Sequence, residues 1–349
     1  WLNRLPGYAG IGNVRYTTSG GTDEQSLIRG TQPFLIETEK AKLAVAFNGN
    51  IVNHFKLRNQ LKESFPESCY ECDLELVGRK LVMELAKNGD LASSVKSCMN
   101  EIEGAFSVVG LTKNGELFAF KDPYGIKPLC CGHSPDGTIH AVSSETVGLN
   151  INGFDYDFEL KPGEFVIASK EGFIREQLVP CRKRALCAFE FAYFARPDSR
   201  LGNKFVYEIR EEFGRNLAKE YSEFVKDADV IISLPETGDD VALGLHEATG
   251  LRWERAVRRH RYVTERAFIL LPEERYASEL GDWGDGQEWD RSDDPTYKPT
   301  LYIESQYKQQ SEGQLMMIYL LGATAIALAA VTLFLILNRR AKFVGQPIA

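Results

Sequence analysis

Positive charge is what this chain most lacks. Its 41 Lys and Arg are outnumbered by 49 Asp and Glu, for a net charge of −8, and no basic stripe is present to neutralise phosphates, which excludes a nucleic-acid partner. Between Leu270 and Gln314 eleven acids stand against four bases, so most of the excess is local. A disulfide framework is excluded next. The seven cysteines (Cys69, Cys72, Cys98, Cys130, Cys131, Cys181, Cys187) are an odd number in a chain long enough to bury cores without staples, and they read as reduced cytosolic thiols. Cys69 and Cys72 make one CxxC, but a zinc site needs two further ligands at sensible spacing and none stands out. Cys130 and Cys131 read as small apolar fillers. The glycine-rich stretch Gly7 to Gly21 lacks the strand-then-helix setting of a dinucleotide or P-loop fingerprint, so it is not read as a phosphate cradle. No initiator Met and no signal peptide open the chain, which begins at Trp1 and is expected to be truncated there.

What is present fits two domains in 349 residues. Leu43 to Phe47 alternates as a half-buried strand and runs into Asn48-Gly49, the dipeptide of a two-residue hairpin turn. Asn53 to Glu63 and Asp73 to Lys87 carry helical apolar spacing, with Asp73 at the N-terminal end of the second helix, where free amides and the dipole favour an acid. Arg15 reads as one half of a surface ion pair. From Phe106 the pattern turns to strands: Phe106 to Leu111, an Asn114-Gly115 turn, Leu117 to Lys121, Ala141 to Ser143 and Phe165 to Ala168. This is an α+β domain. Cys187 to Ser199 is aromatic-rich and closes on Arg196-Pro197, as a core strand ending in a turn would. Val206 to Phe224 is an amphipathic helix; Val230 to Leu234, a turn at Pro235 to Gly238 and a helix from Asp239 to Thr249 begin a parallel α/β sheet, with ligands expected at the carboxyl end of its strand. Leu315 to Leu337 is uncharged, apolar and long enough to cross a bilayer, which takes about 20 residues, and Arg339, Arg340 and Lys342 follow it.

Ten strings occur in one order. They are VRYTT (Val14 to Thr18), FNGNIVN (Phe47 to Asn53), DLE (Asp73 to Glu75), IEGAFS (Ile102 to Ser107), KDPYGIKPL (Lys121 to Leu129), SSE (Ser143 to Glu145), KPGE (Lys161 to Glu164), CAFEFAYFARPDS (Cys187 to Ser199), PETGDDVALG (Pro235 to Gly244) and RYVTERAFI (Arg261 to Ile269). From about Gly7 to about Arg275 the chain resembles the glutamine phosphoribosylpyrophosphate amidotransferases. Its front half is similar to class II glutamine amidotransferases at large, and the stretch from Cys187 onward selects the phosphoribosyl family.

The resemblance implies an N-terminal-nucleophile hydrolase sandwich, then part of an α/β type I phosphoribosyltransferase domain. It implies glutamine-dependent formation of 5-phosphoribosylamine from phosphoribosyl pyrophosphate, the first step of de novo purine synthesis, in a cytoplasmic homo-oligomer. An N-terminal cysteine whose own α-amine is the base would attack the amide. The Asn48 side chain and the Gly49 N–H would hold the oxyanion. Arg15, with Tyr16 beside it, would bind the substrate α-carboxylate through its fork of donors, and Asp73 the α-ammonium. In the second half-reaction Mg²⁺ would sit on the pyrophosphate, near the Pro235 to Asp239 turn, and Arg259 and Tyr262 would lie on a loop closing over it. Cys187 falls where some relatives place an iron–sulfur ligand, but the companion cysteines do not follow, so no cluster is expected.

The sequence departs from the family in three places. No cysteine lies near its start, Phe47 replaces the more usual His of the HNGN string, and the acidic, glycine-bearing loop that binds ribose diphosphate and metal is missing. The basic residues after the apolar run put the tail in the cytoplasm and everything before it outside, against the cytosolic setting of the enzyme portion. The expected organisation is a glutamine amidotransferase domain over 1–180, a partial phosphoribosyltransferase domain over 181–270, an acidic linker over 271–314, a transmembrane helix over 315–337 and a basic tail over 338–349. The last three are read as an unrelated segment fused after about residue 270. The chain as written is expected to be inactive in both half-reactions; the alternative is a membrane-anchored, non-catalytic binding or regulatory module.

Overall fold

The computed structural model describes residues 7–14, 28, 30–39, 41–66 and 72–258. They divide into two compact units, Trp1–Ala188 with Ser199–Asn203, and Phe189–Asp198 with Lys204 onward. Arg15, Tyr16, Cys69, Arg259, Tyr262 and the apolar run 315–337 lie outside the described residues. Among the described residues no helix is long and apolar enough to cross a membrane.

The first unit is built on a six-stranded antiparallel sheet in the order β1-β2-β3-β4-β8-β9, formed by Phe34–Glu37, Lys42–Ile51, Gly104–Thr112, Leu117–Lys121, Glu164–Ser169 and Gly172–Gln177. Period-two alternation sends Leu43, Val45 and Phe47 of β2, Phe106 and Val108 of β3, Phe118 and Phe120 of β4 and Phe165 of β8 into one apolar core. Three helices, α1 (His54–Leu61), α2 (Asp73–Asn88) and α3 (Leu91–Glu101), share that core through Leu57, Leu61, Leu74, Val77, Leu81, Val95 and Met99. The intervening residues Ala119 and Val166 enter a second, smaller core with Leu129, Cys131 and Leu160. Cys131 belongs to a second antiparallel sheet of β5 (Cys130–His133), flanked by β6 (His140–Ser143) and β7 (Asp155–Glu159), with the short helix α4 (Thr146–Asn150) between β6 and β7. The unit is therefore a helix layer on a sheet on a sheet.

Sequence and structure differ most at Asn48-Gly49. These residues do not turn the chain; they lie inside β2, with Asn48 opposite Ser107 and Gly49 opposite Phe106 of β3. Pairing with a strand more than fifty residues away overrides the local hairpin preference. Gly49 is required there, because a Cβ would overlap the Ala105 carbonyl oxygen and stand 2.9 Å from Phe106 Cα.

Cysteine placement follows the cores. Cys98, Cys130 and Cys131 are buried, and burial pushes all three thiols up, Cys130 to about 12. Cys181 is exposed and Cys187 partly so, with its sulfur 3.9 Å from Lys127 Nζ. Only thiolates alkylate, so iodoacetamide at pH 8 is expected to label Cys181 and Cys187 in the native protein and spare Cys98, Cys130 and Cys131 until it unfolds. Peptide mass mapping checks this.

A polar network ties residues 199–202 to the first unit. Ser199 Oγ donates to Glu145 (2.7 Å), Arg200 N to Thr146 Oγ1 (2.9 Å) and Gly202 N to Glu159 (2.9 Å), which also pairs with the buried Lys121 at 3.1 Å.

In the second unit Glu190–Phe194 is one turn of π-helix, where a strand is expected from the aromatic composition. The reason is Arg210, 1% exposed on α5 (Val206–Glu220), whose Nε and Nη2 donate to the carbonyls of Phe191 and Ala195 at 2.7 Å each. These bonds satisfy carbonyls at the end of the turn. Beyond α5, β10 (Val230–Ile232), α7 (Thr237–Thr249) and β11 (Arg252–Glu254) form a βαβ unit with parallel strands; a short helix α6 (Ser222–Val225) precedes it. Helices α5 and α7 pack closely at Gly214 and Gly244, where a Cβ on either would overlap the other's backbone.

Candidate functional site

The site residues that can be placed gather at one end of the first unit, along the free edge of β2. Strand β1 begins at Phe34, opposite Val45, so it covers only the first part of β2. Odd-numbered amides of β2 point toward β1, and even-numbered ones toward β3. Past Phe34 the next two odd amides with identified partners are held by side chains: Phe47 N–H donates to Gln32 Oε1 at 2.9 Å and Ile51 N–H to Asp73 Oδ2 at 2.8 Å. The Gly49 N–H lies between them on the same edge. Among the described residues no strand or side chain reaches it, so it is an open donor between two occupied ones.

Asp73 is brought to this edge as the first residue of α2, in the first turn with Glu75, and its preceding residue Cys72 is extended. Among the described residues no helix amide donates to its side chain. It crosses to Ile51, which leaves Oδ1 without a protein donor among the described residues. Asn48 is exposed, in a strand whose Val45, Ala46 and Phe47 are buried. Phe47 points into the helix-side core and is 9% exposed. Arg15 and Tyr16 lie outside the described residues.

The floor of the site is fixed by Asp122, whose part sequence reasoning missed although its string was recognised. Its carboxylate is fully buried and accepts four backbone amides: Tyr124 and Gly125 on Oδ1, both at 2.8 Å, and Phe106 and Ile126 on Oδ2, both at 3.1 Å. Phe106 is the residue opposite Gly49. The same loop returns to the sheet through Lys127, whose carbonyl accepts Ser107 Oγ at 2.9 Å, and Ser107 is opposite Asn48. Asp122 thus holds Phe106 directly, and the loop it orders holds Ser107 through the Lys127 carbonyl. Asp-Pro-x-Gly is an Asx-turn signature, and that was the readable signal.

In the second unit the Pro235 to Asp239 turn follows β10 at its carboxyl end. Ser233 Oγ, 1% exposed, donates to Asp239 at 2.5 Å and accepts from Trp253 Nε1 at 3.1 Å. Asp240 faces Arg210 at 3.5 Å, and burial holds its carboxyl above the ordinary range against the pull of that cation. Asp239 and Asp240 are both engaged by the protein. Among the described residues no group of three His, Cys, Asp or Glu side chains is gathered to hold a metal, and no step is derived through Mg²⁺. Arg259 and Tyr262 lie outside the described residues.

A family model described as a glutamine amidotransferase domain matches residues 23–150. An amidophosphoribosyltransferase of Methanocaldococcus jannaschii is 35% identical over 284 residues, covering 77% of this chain and 58% of its own, and a chloroplastic one of Arabidopsis thaliana is 34% identical over 268 residues, covering 77% and 46%. The solved glutamine phosphoribosylpyrophosphate amidotransferase of B. subtilis, complexed with ADP and GMP, superposes with a TM-score of 0.63 at 29% identity, over 76% of this chain and 55% of that one. The chain thus spans about half the length of the relatives it matches. With the amidotransferase match over the site-bearing unit and relatives of one kind running through both units, the chain belongs to the amidophosphoribosyltransferase family.

Proposed function

We propose that this chain carries the glutamine site, and the opening part of the phosphoribosyl-transfer domain, of an enzyme that makes 5-phosphoribosylamine from glutamine and phosphoribosyl pyrophosphate. The observation that carries the proposal is the Gly49 N–H, open among the described residues, beside the exposed Asn48, with Asp73 Oδ1 on the same edge and likewise without a donor among them. In the glutamine half-reaction a thiolate adds to the side-chain amide carbon. The carbonyl oxygen takes the negative charge, and Gly49 N–H and the Asn48 amide donate to it; the C–N bond then breaks, ammonia leaves with the proton that the cysteine's α-amine took from the thiol, and water cleaves the resulting thioester to release glutamate and restore the thiol. Each such donor lowers the barrier by on the order of 3 kcal/mol. The nucleophile is supplied by an N-terminal cysteine in this reading, and the first cysteine of the present sequence is Cys69. Asp73 takes the substrate α-ammonium on Oδ1 while Ile51 N–H fixes the carboxylate plane through Oδ2.

In the second half-reaction ammonia displaces pyrophosphate at the sugar C1. The parallel βαβ unit with its ligand-facing turn after β10 supports that assignment, and Arg259 and Tyr262 would close over the turn. The division at about residue 180 is part of the same proposal, supported by the two compact units.

Asp73→Asn tests the reading cleanly, because the amide oxygen still accepts Ile51 N–H while the charge is lost. Losing a charge-assisted bond worth about 1.5–3 kcal/mol lowers kcat/KM for L-glutamine roughly 10–100-fold, chiefly through KM. An unchanged KM contradicts the role of Asp73.

A further inference from the structure

We infer that Gln32 is a positioning residue for the oxyanion site: its carboxamide ends the β1–β2 ladder at Phe47 and thereby decides that Gly49, and not Phe47, presents the open amide. This deepens the glutamine reading and rests on it. The argument starts from the chain path. The β1–β2 ladder ends at Phe34, opposite Val45, although by register Gln32 would come next, opposite Phe47. The backbone therefore parts from β2 there. Gln32, half-buried, reaches back with Oε1 and accepts Phe47 N–H at 2.9 Å, making with a side chain the bond a strand backbone would otherwise make. Two residues on, nothing among the described residues occupies the equivalent position beside Gly49; four residues on, Asp73 closes the edge again. The edge therefore has one vacancy with a clamp on each side. A strand edge with only one clamp can shift along or away from its neighbour, since its orphan amides turn to water. With both clamps closed, the Gly49 N–H keeps one direction, as a donor aimed at a developing charge must. Gln32 touches no reacting atom in this scheme and acts through the backbone of Phe47.

The experiment is residue-resolved amide hydrogen exchange on the full chain, wild type against Gln32→Ala and Gln32→Glu, with glutaminase kinetics on the same variants of the natural protein. In the wild type Phe47 and Ile51 are protected and Gly49 exchanges quickly. Gln32→Ala is expected to speed Phe47 exchange at least tenfold while Val45 in the same strand stays protected, and Gln32→Glu, which keeps the acceptor, restores it. Glutamine kcat falls about tenfold in Gln32→Ala with KM little changed, and ammonia-dependent synthesis is unaffected. Phe47 exchange unchanged in Gln32→Ala, or Gly49 as protected as Phe47, overturns the inference whatever the kinetics show. A kcat within twofold of wild type overturns the link to the oxyanion site. A wild type that hydrolyses no glutamine, with the exchange pattern as described, instead overturns the functional reading on which the link depends.

Discussion

Asp122→Ala is expected to cost at least about 3 kcal/mol of folding stability, on the scale of the whole stability of a domain, about 5–15 kcal/mol. The carboxylate is fully buried and is the acceptor for the amides of Phe106, Tyr124, Gly125 and Ile126. Removing it leaves the buried Phe106 amide and the partly buried Tyr124 and Ile126 amides without their acceptor, each costing about 1–3 kcal/mol when unsatisfied, while Gly125 N–H keeps the residue 122 carbonyl at 3.0 Å. Asp122→Asn separates this from simple loss of volume. Its remaining oxygen can serve Tyr124 and Gly125, but its NH₂ then faces the Phe106 and Ile126 amides, donor against donor. About half the loss is expected to remain. Urea unfolding followed by circular dichroism measures both variants, and a midpoint for Asp122→Ala close to the wild type contradicts the arrangement.

Gly49→Ala is expected to lower glutamine hydrolysis by about 10²–10³-fold, the scale for loss of one oxyanion donor. The methyl group would overlap the Ala105 carbonyl oxygen and crowd Phe106 Cα, both of them backbone, so no side-chain rotation relieves the contact. Phe106 cannot retreat either, because Asp122 holds its amide. The strand must therefore move at Gly49 itself, and the open N–H turns away from the amide it serves. Overpacking of this kind also costs about 1–3 kcal/mol of stability. Activity with ammonia supplied in place of glutamine separates the two effects: a variant that keeps it has lost the glutamine site and not the fold.

Much of the scaffold is legible in the residues because its elements are periodic. The stripe Leu74, Val77, Leu81 marks α2, and the strands at Phe106 and Leu117 show their alternation. Helix α3 is not legible in the same way. Its apolar positions thin to Leu91, Val95 and Met99 among serines and a lysine, and its start rests on Asp90 accepting the Ser93 amide at 2.8 Å. β5 and β7 are short, and β9 is mostly exposed, so none of the three shows a hydrophobic period. Asn48-Gly49 shows the harder limit. Read locally it is a hairpin; only the pairing with β3, set by contacts distant in sequence, makes it a strand interior. The motif order pointed to Asn48, Gly49 and Asp73, and the structure brings the three to one edge. Gln32 carries no local signal, since its partner is fifteen residues away and the bond exists only where a ladder fails. The π-turn at Glu190–Phe194 is hidden for the same reason, held by an arginine on the next helix.

The measurement that bears most directly on this account is glutamate release from L-glutamine by the protein isolated from its own cells, with its first residue identified in the same preparation. The account predicts an N-terminal cysteine, steady release of glutamate, and loss of that release on Gly49→Ala. A protein that binds no glutamine and releases no glutamate, with the β2 edge formed as described, would contradict it.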